Sequence, residues 1–336
     1  MRPRHPALVL AAASLLLVAL LALCVGRYPL SPRELWQTLL ATIHLGAPPA
    51  HFALMKAIVI DARLPRLLAA GLIGAALSVA GATYQSVFRN PLLSPDLLGV
   101  LSGSAVGAAL AIVLGAGAVM IQLSAFVAGL LSVLVGLGIA ATLRRGGVIT
   151  LLLGGLVSNA LFSALLSLLK YVADPQNQLP AIVYWLLGSV AQVGWNELDS
   201  LVLPLLAGTA LLCAMGRVLD ALSLSDDEAR SLGIPVAVIR LAVIALATLI
   251  SAITVSMAGM IGWVGLLVPH IARLLVGAAN ARMLPLCALL GAIGVILADT
   301  CARSVSSGEI PLGIVTELFG AAAFVMVLRR LRSGEL

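Results

Sequence analysis

Long apolar tracts joined by short polar segments dominate this chain, and they predict its elements before anything else is weighed. A membrane-spanning helix needs about 20 predominantly apolar residues. Ten tracts approach or reach that length: 7–25, 64–87, 97–114, 119–143, 148–171, 198–218, 238–258, 260–277, 283–304 and 310–328. Strands of a membrane barrel alternate apolar and polar residues, which these tracts do not, so the expected fold is all-α and polytopic. The first tract follows a basic N-terminus as in a signal peptide. No convincing small-residue cleavage site precedes the next polar segment, so 7–25 reads as a retained span.

Three polar interruptions are longer than a simple turn. Segment 26–57 carries Pro29, Pro32, Pro48 and Pro49 and reads as interfacial helix and loop. Segment 172–196 holds Asp174 and Pro175, with a short helix expected around Trp185 to Ser189. The third, 219–235 (LDALSLSDDEARSLGIP), is the densest polar break in the second half. Ser225 followed by Glu228 is a capping box, and Asp226 and Asp227 place negative charge at the positive end of a helix dipole. Gly233 and Pro235 then end the helix near Leu232. A helix of about seven residues is well below the roughly 12 to 15 needed for marginal stability in water, so it must rest against something. By pattern alone, 219–235 is either a solvated loop between spans or a contact surface.

Composition agrees with the tracts: 61% of the 336 residues are hydrophobic and 10% are charged. That excludes a soluble domain hiding its apolar residues in one core. The net charge of +6 comes from basic residues dispersed over short loops, so it speaks for orientation rather than nucleic-acid affinity. With the N-terminus inside, Arg2, Arg4, Arg89, Arg144, Arg145, Arg217, Arg230, Arg240, Arg273, Arg282, Arg329, Arg330 and Arg332 fall on the cytoplasmic side, leaving Arg27, Arg33, Lys56, Arg63, Arg66, Lys170 and Arg303 outside. The positive-inside rule therefore predicts ten spans with both termini, and 219–235, in the cytoplasm. The whole chain 1–336 reads as one transmembrane domain, with spans one to five over 7–171 and six to ten over 198–328. Ser78-Val79-Ala80-Gly81 recurs as Ser256-Met257-Ala258-Gly259, each with a proline ten residues beyond the glycine, at an offset of 178 residues. In this topology the two halves would be inverted relative to each other.

The chemistry of the chain is sparse. Cys24, Cys213, Cys287 and Cys301 show no CxxC spacing, and the four histidines are scattered, so no metal site is expected. Neither HExxH nor GxSxG occurs, and no catalytic residue is expected. The only lysines, Lys56 and Lys170, do not follow a glycine, so no P-loop is present. Uphill transport would then draw on an ion gradient or a partner ATPase. An ion-coupled secondary transporter would need intramembrane carboxylates, and only Asp299 and Glu317 qualify. Asp299 lies four residues before Arg303, the spacing of a helical salt bridge. Glu317 has no local partner and is expected to face a water-filled path. Arg63 and Arg66 share one helix face, either snorkelling to lipid phosphates or receiving carboxylates of an external protein.

Several long stretches, in order, resemble the FecCD-type membrane permeases of bacterial ABC importers for iron-siderophore complexes, haem and cobalamin. They are RLPRLLAAGLIGAALSVAGATYQSVFRNPLLSPDLLGVLSGSAVG (63–107), DDEARSLGIP (226–235), GMIGWVGLLVPHIARLL (259–275), LADTCAR (297–303) and EIPLGIVT (309–316). The resemblance implies a type II importer permease in a bacterial inner membrane: a homodimer with two ATP-binding subunits on its cytoplasmic side and a periplasmic or surface binding protein outside. The permease binds no cofactor, while ATP and Mg sit on the partner. It implies that Ser225, Asp226, Asp227, Glu228, Ala229, Arg230, Ser231, Leu232 and Gly233 form the coupling helix, and that Arg63, Arg66 and Arg303 dock the binding protein. Spans five and ten would wall the path, through Leu152, Gly155, Ser158, Asn159, Thr316, Glu317 and Gly320. The chain departs from the family pattern in two places: Glu317 stands where small or apolar residues are usual, and the stretch Ala321 to Ala323 where a proline is common. The expected cargo is haem or a ferric siderophore, with cobalamin as the other candidate.

Overall fold

The computed structural model describes residues 5–143, 147–306 and 308–332, and every regular element among them is helical. The helices are α1 (His5–Cys24), α2 (Pro32–Thr42), α3 (Phe52–Lys56), α4 (Leu64–Val87), α5 (Val100–Val113), α6 (Ala118–Thr142), α7 (Val148–Val172) and α8 (Gln178–Leu186), followed by α9 (Trp195–Ala214), α10 (Gly216–Leu222), α11 (Asp226–Ser231), α12 (Val236–Ala258), α13 (Val264–Val276), α14 (Asn280–Val305) and α15 (Leu312–Arg332). Seven helical stretches are long and apolar enough to cross a membrane, and three shorter apolar ones, in α5, α13 and α15, complete the ten tracts. Of the basic residues that set the predicted orientation, Arg2, Arg4, Arg144 and Arg145 lie outside the described residues.

Helix α4 is the central post. A π-helical turn, Ala57–Arg63, joins it to α3, so that Phe52–Val87 forms one continuous rod that begins inside the predicted external segment. From Ile73 onward nearly every α4 residue is buried, against α9, α12, α13 and α14. Small residues permit the closest approaches: a Cβ on Gly74 would overlap the backbone of Gly291 in α14, and one on Gly81 the backbone of Gly265 in α13. Polar side chains tie the same helices where no water competes. The Tyr84 hydroxyl meets that of Thr248 at 2.6 Å, and the Ser86 hydroxyl donates to Asn280 Oδ1 at 2.7 Å.

Helices α5 and α13 have 14 and 13 residues. At 1.5 Å per residue each is about 20 Å long, short of a hydrocarbon layer of about 30 Å. The crossing is completed by non-α connectors, 88–99 before α5 and 259–263 before α13. Irregular backbone at that depth survives only when protein surrounds it. Pro95 of the first connector duly packs near Gly265, at the start of α13.

Three expectations change. The short helix near 185–189 is α8 at Gln178–Leu186, because the backbone just after it is committed elsewhere: Ser189 N donates to Ala258 O at 2.7 Å, while Gly188 O and Leu187 O accept from Leu312 and Gly313, each at 2.9 Å. The sixth span ends at Ala214, and a separate α10 begins at Gly216, pressed against Ala281. The helix order α4 to α7 repeats as α12 to α15, but their starts are offset by 172, 164, 162 and 164 residues (236 less 64, 264 less 100, 280 less 118, 312 less 148). The Ser-X-Ala-Gly pair at an offset of 178 is therefore out of register with the structural repeat.

A valine at Gly291 meets the α4 backbone, which cannot yield, whereas Gly294 on the same helix has open space around it. Gly291→Val is expected to destabilise the protein by about 3 kcal/mol or more and Gly294→Val by well under ~1 kcal/mol. Thermal unfolding of the two variants in detergent checks this.

Candidate functional site: a capped surface helix and a central cavity

Helix α11 forms as its sequence dictates. The Ser225 hydroxyl accepts from Glu228 N at 3.2 Å, and Glu228 Oε2 accepts from Ser225 N at 2.9 Å, closing the capping box. The Ser225 hydroxyl, donating to Glu228 Oε2 at 2.7 Å, and then the Ser225 amide hold the Glu228 carboxyl below its ordinary pKa. Gly233 follows in the left-handed conformation, φ +78°, with its amide on Arg230 O. The helix has two unlike faces. Ala229 is fully buried, whereas Ser225, Asp227, Glu228, Arg230, Ser231, Leu232 and Gly233 are exposed. Leu232 is 62% exposed, an apolar side chain offered at the tip of an otherwise polar surface.

Asp226 faces the subunit and carries two guanidinium groups. Arg240, at the start of α12, donates from both terminal nitrogens, at 2.7 and 3.1 Å, and Arg89 donates from Nη2 at 2.6 Å. The hydrogen bonds from Arg240 first, then Arg89, hold the Asp226 carboxyl at about 2, against 3.8 for an ordinary aspartate. Arg89 also donates from Nε to Leu222 O of α10, at 3.2 Å. Nearby, Asp220 Oδ1 accepts from Asn280 N at 2.6 Å, fastening α10 to the start of α14.

A cavity of about 290 Å³ lies where the two connectors approach each other, walled by Ser94, Pro95 and Asp96 on one side and by Met260 to Trp263 on the other. Glu317 of α15 contributes to its lining, with an exposed side chain. The other predicted wall residues are packed inward. Gly155 lies against Leu97 and Leu98, the Ser158 hydroxyl donates to Ser132 O, and Leu152 packs on the core. Thr316 is buried with its hydroxyl on Gly313 O, Gly320 abuts Trp263, and Asn159 is half-buried. The exposed side of α7 is instead Leu153, Leu156, Val157 and Leu161.

On the opposite face, at the far end of α4, the three arginines singled out from sequence also turn inward. Arg63 donates to Leu23 O and, at 2.6 Å, to Tyr28 O, and Arg303 donates to Ala22 O. Two guanidinium groups thus satisfy carbonyls left over at the C-terminus of α1, where a helix dipole favours cations. Arg66 bridges Asp299 at 2.8 Å and Glu309 at 2.9 Å. Asp299 and Arg303, the pair expected from their spacing, are 3.7 Å apart, so Arg66 is the nearer partner.

A model of the FecCD transport family matches residues 14–330. The chain belongs to that family. This FecCD permease is 38% identical over 323 residues to the molybdate import system permease MolB of Haemophilus influenzae, covering 96% of this chain and 95% of the relative. It is 35% identical over 319 residues to the vitamin B12 import system permease BtuC of Salmonella paratyphi A, covering 93% and 91%. A solved inward-facing structure assigned to the metal-chelate type of ABC transporter superposes with a TM-score of 0.85 at 36% identity, covering 96% of this chain and 98% of that one. The FecCD permease is thus a multi-pass membrane subunit of the ABC importer kind.

Sequence reasoning missed Arg89, Arg240, Glu309 and Asp96. The first two had a usable signal, since the orientation rule placed them on the same side as Asp226, where few carboxylates compete for them. Glu309 and Asp96 had none, because their neighbours are set by long-range packing. Because Asp226 has a depressed folded pKa, its ion pairs stabilise fully above the unfolded value near 3.8 and less as pH falls toward 2. Asp226→Asn is expected to lose roughly 2 kcal/mol at pH 7. Melting of both proteins between pH 7 and pH 2.5 should show that gap narrowing as the pH falls, and a constant gap would contradict it.

Proposed function

We propose that this chain is the path-forming subunit of an ATP-driven importer, working as a homodimer with two ATPase subunits seated on α11 and a binding protein on the opposite face. The observation that carries the reading is the division of α11: its inner face is locked to the subunit by Asp226 and Ala229, while its outer face, with Leu232 at the tip, is left uncovered. The chain has no P-loop, so an ATP-driven cycle draws on a partner ATPase, and this uncovered face is the surface offered to it. Orientation by the positive-inside rule puts α11 and both termini in the cytoplasm. The exposed apolar residues of α7, together with Leu318 and Phe319 of α15, supply a dimer surface.

The cargo we favour is a metal chelate, haem or a ferric siderophore, with cobalamin as the close alternative. Molybdate is the second reading, favoured by identity to the Haemophilus relative along almost the whole chain. The cavity weighs against it, since its lining offers a dianion two carboxylates, Asp96 and Glu317, and no basic residue. Uptake of radiolabelled molybdate, haem, cobalamin and a ferric hydroxamate by the reconstituted importer decides among them. Molybdate uptake alone would overturn the chelate reading.

Substitutions on the exposed face should break the link to ATP. Glu228→Arg with Arg230→Glu, or Gly233→Val, is expected to raise the ATP consumed per molecule transported by about tenfold or more. Normal coupling in both variants would remove α11 as the ATPase contact. On the opposite face, docking through Arg63, Arg66 and Arg303 requires them to exchange internal bonds for carboxylates of the binding protein. Arg66 is best placed, because its partner Glu309 is 31% exposed. Arg66→Gln is expected to weaken binding-protein affinity by about tenfold, roughly 1.4 kcal/mol. Unchanged affinity would take Arg66 out of the docking surface.

A further inference from the structure

We propose that Asp226 is a positioning residue that transmits movement of α11 to both walls of the central cavity, through Arg89 to the 88–99 connector and through Arg240 to α12 and the 259–263 connector. The inference rests on the proposed ATPase contact and adds the internal route by which that contact reaches the cavity.

The two arms are continuous in the chain. Arg89 takes the left-handed conformation, φ 52°, directly at the head of its connector, and only four residues separate it from Ser94. That short run is stiff. Pro91 fixes one of its backbone angles and Pro95 follows it just past Ser94, Asn90 Oδ1 accepts from Leu92 N at 3.0 Å, and Leu93 is buried. Arg89 is held at one end by Asp226 and by Leu222 O, so it follows α10 and α11 together. The other arm is α12 itself, 23 residues and about 35 Å of rigid helix. Arg240 stands at its start, with a side chain only 7% exposed, and Met260 to Trp263 of the opposite cavity wall follow its end directly.

One carboxylate therefore holds the near ends of both elements that enclose the cavity. If α11 is displaced, the walls follow because the links are short, charge-assisted hydrogen bonds rather than flexible loop. A pull on α11 shared by two arms also moves both walls in concert, which independent contacts would not ensure.

The test uses the complete importer with its ATPase in nanodiscs, on a background lacking Cys24, Cys213, Cys287 and Cys301. Reporter substitutions Ser94→Cys and Gly262→Cys sit one in each wall, and the readout is their rate of modification by a small cationic thiol reagent, with and without a non-hydrolysable ATP analogue. On the otherwise unaltered background, nucleotide is expected to change both rates by at least about fivefold. Arg89→Gln should abolish the response at position 94 and spare that at 262, and Arg240→Gln should do the reverse. Asp226→Asn should abolish both, and Asp226→Glu should restore them. Full responses at both reporters in all the neutral variants would overturn the proposal, as would loss of both responses in each single arginine variant, which marks general damage. Absence of any nucleotide response before these substitutions would overturn the ATPase reading of α11 itself.

Discussion

Backbone amides and carbonyls inside a hydrocarbon layer have no water to bond, and that constraint shapes this protein at every level. It accounts for the uniformly helical fold. It also accounts for where the chain departs from α-helix: the connectors 88–99 and 259–263 bury Leu93, Pro95, Leu98, Gly99, Gly259 and Ile261 in protein, and the exposed residues Arg89, Pro91 and Leu92 lie at the end of α4. Charges obey the same rule. Arg66, Asp299 and Glu309 form one knot at one end of α4, and Arg89, Asp226 and Arg240 form another at the opposite end. A helix of 24 residues is about 36 Å long, so the two knots sit at the two edges of the layer.

Much of this was legible in the sequence, for physical reasons that can be named. Apolar tracts located the spans because length and hydropathy are local properties, and the Ser225 capping box located α11 because capping is decided within four residues. What stayed hidden depended on distant partners. The 13-residue length of α13 follows from the 259–263 connector packing against Trp185, Gly188 and the start of α15, which no local propensity encodes. The inward turn of Arg63 and Arg303 follows from the carbonyls at the end of α1, 40 and 281 residues away in sequence. The tetrapeptide match misplaced the internal repeat because insertions shift one half against the other, whereas helix order survives them.

The site divides along the same line. The outer face of α11 could be read from residue types alone. Its inner face could not, because Asp226 acquires its role only when the 88–99 connector and α12 bring Arg89 and Arg240 to it. The cavity likewise exists only where two broken helices approach each other, and Glu317 is the one expected path residue among its lining.

The central claim is that α11 presents its outer face to an ATPase. The most direct measurement places a photo-crosslinking residue at Leu232 in the assembled importer, and another at Trp36, which is 63% exposed on α2 at the opposite end of the molecule. Capture of a P-loop ATPase subunit at position 232 and none at 36 is the expected result. Capture at 36, or an importer that hydrolyses ATP normally while position 232 crosslinks only to lipid, would contradict it.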